Sequence, residues 1–175
     1  MTVAGIWDLD PGPAVRWRDT VAAAQLLREL LNGLRLASWV KTTGGRGLHV
    51  VVPIKRSLDW SECLSFSKNV ADTMVRANAK LYTTSFTKSG REQKILFDYL
   101  RNNRANTSVC AYSPRARAGA PVSMPVDWSD LREPPSRWNL RTARRALQTC
   151  RDPWKDYWST AQRVRLRNMK DVRSL

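Results

Sequence analysis

Gly5-Ile6-Trp7-Asp8-Leu9-Asp10-Pro11-Gly12-Pro13 carries most of the structural information in this chain. Ala4 to Asp10 reads as a short strand, and Pro11-Gly12-Pro13 stops it. Side chains alternate along a strand, so Asp8 and Asp10 leave the same face, about 6.6 Å apart along the chain. Two carboxylates so placed can flank a pair of divalent ions, which want hard oxygen ligands and leave positions open for phosphate and water. The same pattern also describes two surface acids ahead of a turn, so the metal reading needs support from elsewhere.

The rest of the fold follows outward from that strand. Thr20 to Leu34 reads as an amphipathic helix: Val21, Ala24, Leu27, Leu31 and Leu34 recur at spacings of three and four, with Asp19 or Thr20 as cap. Ser38 to Lys41 and Leu48 to Pro53 read as strands joined by the glycine-rich turn Thr42 to Gly47. Leu58 to Lys80 reads as a second helix, with Trp60, Leu64, Val70 and Met74 as its apolar stripe. Lys94 to Leu100 reads as a buried strand and Val109 to Tyr112 as another. A basic loop from Arg115 to Pro121 leads into a short extended piece to Val126. From Asp127 the text is rich in Trp and Arg, broken by Pro134-Pro135, with helices expected over Asn139 to Cys150 and Pro153 to Met169. The alternation predicts an α+β (α/β two-layer) domain, a mixed sheet with flanking helices, over residues 1–175, in which 127–175 form a helical C-terminal part.

Asp98 interrupts the apolar run Ile95-Leu96-Phe97-Asp98-Tyr99-Leu100. A carboxylate in a buried strand is costly unless a metal, a cation or hydrogen bonds compensate it. Asp98 is therefore either paired with Arg91, Lys94 or Arg101, or a third carboxylate beside Asp8 and Asp10. In Lys41-Thr42-Thr43-Gly44-Gly45-Arg46-Gly47-Leu48-His49 the glycines allow close approach of a bulky anion. Thr43 adds a hydroxyl, Arg46 a planar donor fork and His49 a donor for phosphate oxygen. The segment reads equally as a plain hairpin turn. It has neither the Walker spacing nor the strand-to-helix setting of a dinucleotide loop. Arg115-Ala116-Arg117 places two arginines where both can face a phosphate, or where both are merely solvated.

Thirty Lys+Arg against fifteen Asp+Glu give a net charge of +15. That self-repulsion points to a polyanionic partner, with DNA or RNA ahead of an anionic membrane. No apolar run approaches the ~20 residues of a membrane span, and no signal-peptide pattern opens the sequence, so a cytoplasmic location is expected. Cys63, Cys110 and Cys150 form no CxxC pair, and His49 is the single histidine, which excludes a His/Cys zinc cluster.

Taken together these segments resemble the polymerase domain of bacterial DNA ligase D, a branch of the archaeo-eukaryotic primase superfamily. The resemblance rests on Trp7 to Pro13, Lys41 to Val50, Phe97 to Asn102 and Tyr112 to Ser123, in that order, and spans roughly Ile6 to Trp128. It implies a primase-like catalytic core that extends DNA ends from nucleoside triphosphates in non-homologous end joining, with two Mn2+ or Mg2+ ions. It further implies a bacterial, nucleoid-associated location and a Ku-type end-binding protein and a separate ligase as partners. Asp8, Asp10 and Asp98 fall on the family's metal ligands, Thr43, Arg46 and His49 on its triphosphate motif, and Arg91 and Arg115 on basic positions near the nucleotide. The family usually has serine at Thr43 and often lysine at Arg46, and its counterpart of Ser89 to Lys94 is more basic. Its N-terminal portion, with the pocket for a DNA 5′-phosphate, is expected to be absent here, as are ligase and nuclease domains. The rival readings are a catalytically inactive remnant acting as a nucleic-acid-binding module, and a metal-dependent nuclease.

Overall fold

A computed structural model describes residues 2–149, 151–160 and 162–165. Its centre is a six-stranded sheet built from β1 (Thr2–Pro11), β2 (Trp39–Thr42), β3 (Leu48–Lys55), β4 (Tyr82–Thr83), β5 (Ile95–Asp98) and β6 (Pro125–Val126). The spatial order is β4-β5-β1-β3-β2-β6, antiparallel throughout except for the β4–β5 pair. Helices α1 (Trp17–Gly33), α2 (Trp60–Ala77) and α3 (Leu140–Thr149) complete the α+β fold.

Alternation along β1 sorts the two faces. Trp7 and Leu9 point into the core with Leu48, Val50 and Phe97, all fully buried. Helices α1 and α2 cover this face, bringing Ala23, Leu27 and Leu31 from one and Phe66, Val70 and Met74 from the other. Trp7 meets Phe66 edge to face at 6.2 Å and donates its indole N–H to the Ser67 carbonyl at 3.0 Å, so the largest core residue has no unpaired polar atom. The opposite face carries Asp8 and Asp10.

Several local expectations are corrected. The first helix starts three residues earlier than its apolar period suggested, after an extended Arg16 with no side-chain cap. Asp19 instead lies in the first turn, where a carboxylate favours the helix N-terminus, and pairs with Arg16 at 2.8 Å. Asp59 caps α2 in a reciprocal capping box with Glu62, and this stop places Trp60 at the helix mouth, 54% exposed, outside the apolar stripe. Val109 to Tyr112 form no strand, because Tyr112 turns the chain at φ 63° and extended pairing resumes only at Pro114 with Val122. The helix expected from Pro153 is replaced, over the described residues, by tight turns. Tyr157 stacks on Trp154 and packs edge-on against Trp39, which folds the segment down onto β2. Residues 161 and 166–169 of that expected helix, and Cys150, lie outside the described residues.

Candidate functional site

Strand register assembles the site. Asp8 of β1 lies opposite His49 of β3 on one side and Asp98 of β5 on the other, and His49 lies opposite Lys41 of β2. Directly paired residues share a face, so Asp98, Asp8, His49 and Lys41 form one polar row across four adjacent strands. Asp10 follows two residues along β1 on the same face, at its exposed end.

Each charge in the row has a specific neighbour. His49 Nε2 lies 3.3 Å from Asp8 Oδ2. Arg101 Nη2 lies 2.8 Å from Asp98 Oδ2 and 3.5 Å from Asp8 Oδ2. Asp98 Oδ1 also accepts from the Leu100 amide at 2.9 Å, and Arg91 donates to Asp10 Oδ2 at 2.9 Å. Burial pulls the Asp8 carboxyl upward, but the His49 hydrogen bond and the charges of His49, Arg101 and Lys41 outweigh it and hold Asp8 below its usual value. Burial pushes the His49 imidazole down against the pull of Asp8, whose carboxylate lies beside Nε2. Burial raises Asp98 against the pull of Arg101; burial and the Asp8 charge raise Asp10 against Arg91. The carboxylates thus repel one another on a shared face and need positive charge there.

The loops that frame the row are set by close backbone approach. A side chain at Gly12 would strike the Arg91 and Glu92 carbonyl oxygens at 2.1 and 2.5 Å, so only glycine lets the Arg91 loop reach Asp10. A side chain at Gly47 would strike the Leu9 carbonyl oxygen at 2.3 Å, which ties the glycine turn to the end of β1. Within that turn Thr43 Oγ1 accepts from the Gly45 amide at 3.2 Å, so the hydroxyl closes the turn on itself. One nitrogen of Arg46 is spent on the Gly12 and Pro13 carbonyls, both at 2.9 Å, bridging the two glycine loops. Arg115 donates to the Thr43 carbonyl at 2.9 Å.

Of the residues expected from sequence, Asp8, Asp10, Thr43, Arg46, His49 and Arg115 line one open cleft of about 490 Å3. Asp98 lies beneath it, reached through Arg101, and Arg91 enters at its Asp10 end. Two contributors were missed. Lys41, only 3% exposed, donates to Ser123 Oγ at 2.7 Å; burial lowers its ammonium to about 8. Ser123 passes the bond on to the Thr42 carbonyl at 2.8 Å. Arg101, one of the cations expected beside Asp98, supplies the positive charge between two carboxylates. The signal for Lys41 was its two-residue offset from Thr43 on a strand flanking the turn, legible only once β2 is registered against β3.

Asp8 and Asp98 converge on a single cationic nitrogen, a hard-oxygen pair that suits a divalent cation. Among the described residues no three His, Cys, Asp or Glu side chains close into a ready ligand set. Arg91 and Arg101 hold the carboxylate oxygens, so admitting a metal requires them to turn aside. The donor chemistry fits; the cage is not pre-closed.

The family model for the LigD primase-polymerase domain matches residues 4–154. The chain belongs to the LigD primase-polymerase family. It is 39% identical over 163 residues to the multifunctional non-homologous end joining protein LigD of Pseudomonas aeruginosa, covering 91% of this chain and 19% of that protein. With the LigD of Mycolicibacterium smegmatis it shares 33% over 132 residues, covering 75% of this chain and 17% of that one. The chain therefore spans about a fifth of the length of these LigD proteins. The fold also matches the polymerase domain of Mycobacterium tuberculosis ligase D, solved in complex with DNA. That match has a TM-score of 0.76 and 28% identity over 83% of this chain and 52% of that domain. No helix of the described residues is long and apolar enough to cross a membrane.

Proposed function

We propose that this chain is a nucleotidyltransferase core that adds nucleotides to DNA ends in non-homologous end-joining repair. Its partners on this reading are DNA and nucleoside triphosphates. The observation that carries the reading is the polar row on one sheet face, two of its acids beside Asp10, opening into a cleft framed by glycine loops and arginines. Asp8, Asp10 and Asp98 are the residues that would hold Mn2+ or Mg2+. When bound, such ions lower the pKa of an attacking hydroxyl and neutralise charge on a triphosphate.

The chain's own groups have separable tasks. Asp8 stays ionised because His49 donates to it and Arg101 and Lys41 stand near. His49 orients that carboxylate. Arg91 and Arg101 neutralise the acids in the free protein, and on this reading exchange them for the phosphates of the incoming nucleotide, which suit a guanidinium fork. Arg115 and Arg117 extend the positive wall beside the glycine turn. Arg46 acts through position: it holds the turn against the Gly12 loop so that the cleft keeps its width.

The test is nucleotide incorporation on a primed template with manganese. Wild type is expected to extend the primer, and Asp8→Asn to lose extension while still binding DNA. DNA binding without extension by wild type would favour the binding-module reading; cleavage without any triphosphate requirement would favour a nuclease.

A further inference from the structure

A second cavity, of about 400 Å3, opens where β1, β3 and the start of α2 meet. Its floor is apolar, from Ala4, Ile54 and Leu58, and the indole of Trp60 stands at the mouth, 54% exposed. Lys55, Arg56 and Arg104 ring it and make no ion pair among the described residues. Its one acid, Asp59, is occupied by the Ser61 hydroxyl and the Glu62 amide in the helix cap. Arg101 lines this cavity and the carboxylate cleft alike. Ala4 lies four residues, about 13 Å, from Asp8 along β1, while Ile54 and the start of α2 belong to the helix-covered face, so the cavity opens at the edge of the sheet.

We infer that this cavity seats an unpaired nucleotide of the DNA strand that runs past the carboxylate row, its base stacked on Trp60 and its phosphates held by Arg56 and Arg104. The inference rests on the nucleotidyltransferase reading for the identity of the strand. Three features select this occupant. The uncompensated cations match a phosphate backbone and repel a basic peptide. An exposed indole beside an apolar recess is a stacking platform open to any base, whereas a duplex hides its base faces. Arg101, common to the linings of both openings, sets the recess beside the carboxylate row.

The test compares two fluorescently labelled DNAs by anisotropy: a blunt duplex and the same duplex with a short unpaired 5′ extension. Trp60→Ala should weaken binding of the extended DNA by about 5- to 150-fold, the range of one lost base stack, and leave the blunt duplex within about twofold. Trp60→Phe should keep most of the affinity. Arg56→Ala with Arg104→Ala should flatten the log–log salt slope on the extended DNA by about 1.4, two phosphate contacts on a single strand. Equal losses on both DNAs would overturn the inference in favour of a general basic surface. No loss on either would assign the recess to another occupant, such as a polypeptide. Primer extension by wild type on the same DNA separates the two readings. Extension with no selective effect of Trp60→Ala sinks the recess alone; a selective effect without extension sinks the enzyme reading alone.

Discussion

Replacing Asn102 by Ala should remove about 3 kcal/mol of stability, a large share of what a domain has. β5 pairs with β1 only from Asp8 to Pro11, because the chain leaves the sheet after Asp98 into a 3-10 turn, Leu100–Asn102. The backbone of Ile6 would then face an empty lane on that side. The Asn102 carboxamide fills it: its Oδ1 accepts from the Ile6 amide at 2.7 Å and its Nδ2 donates to the Ile6 carbonyl at 2.7 Å. The same Nδ2 donates to the Tyr99 carbonyl at 2.9 Å, and Asn102 is only 2% exposed. One side chain thus imitates the missing strand residue and pins the turn that carries Arg101. Three buried hydrogen bonds at about 1 kcal/mol each give the estimate. The assay is equilibrium urea unfolding of wild type, Asn102→Ala and Asn102→Asp. The Asp variant keeps the acceptor, loses both donations and sets a carboxylate against two carbonyls, so it should be the less stable of the two at neutral pH. A loss below about 0.5 kcal/mol for Asn102→Ala would refute the account, since surface changes without buried partners fall in that range.

On the proposed reading, DNA affinity should fall steeply with salt and depend little on base sequence, because a +15 chain offers its cations to phosphates; a flat salt series would remove that argument. Arg46→Ala should weaken nucleotide binding far more than Arg144→Ala or Arg145→Ala on the exposed face of α3; equal effects in a titration would mean that bulk charge does the binding. Lys41 gives a pH signature: its folded value of about 8 lies below the usual 10.5, so between those values the unfolded chain holds the extra proton. Wild-type stability should therefore rise relative to Lys41→Met as pH climbs from about 8 to 10.5; a constant difference in denaturant unfolding would show that Lys41 titrates normally.

Periodicity and turn chemistry were enough to locate the main elements. The Asp8-Leu9-Asp10 strand, the hairpin around the glycine turn and the acid in the apolar run at Asp98 were each legible, because each rests on a local pattern. Contacts across the sheet were not. Arg101 was one of three cations offered as partners of Asp98, and its second contact, with Asp8, is visible only across the sheet. Thr43 and Arg46 read as anion donors by residue type, while the fold commits the Thr43 hydroxyl to closing the turn and one Arg46 nitrogen to bracing it. The aromatic C-terminal stretch read as a helix, and over the described residues the stacking of Tyr157 on Trp154 and its edge-on packing against Trp39 overrode that preference.

The single-rung alignment of Asp98, Asp8, His49 and Lys41 has a consequence for the life of the molecule in a cell. Slipping β1 by one position would bring Trp7 into the place of Asp8, expel the indole from its seat against Phe66 and drive a carboxylate into the core. A copy assembled out of step is thus disarmed and loosened by the same mistake, and becomes ready prey for proteases. A well-folded copy with a scrambled polar row has no stable form to take.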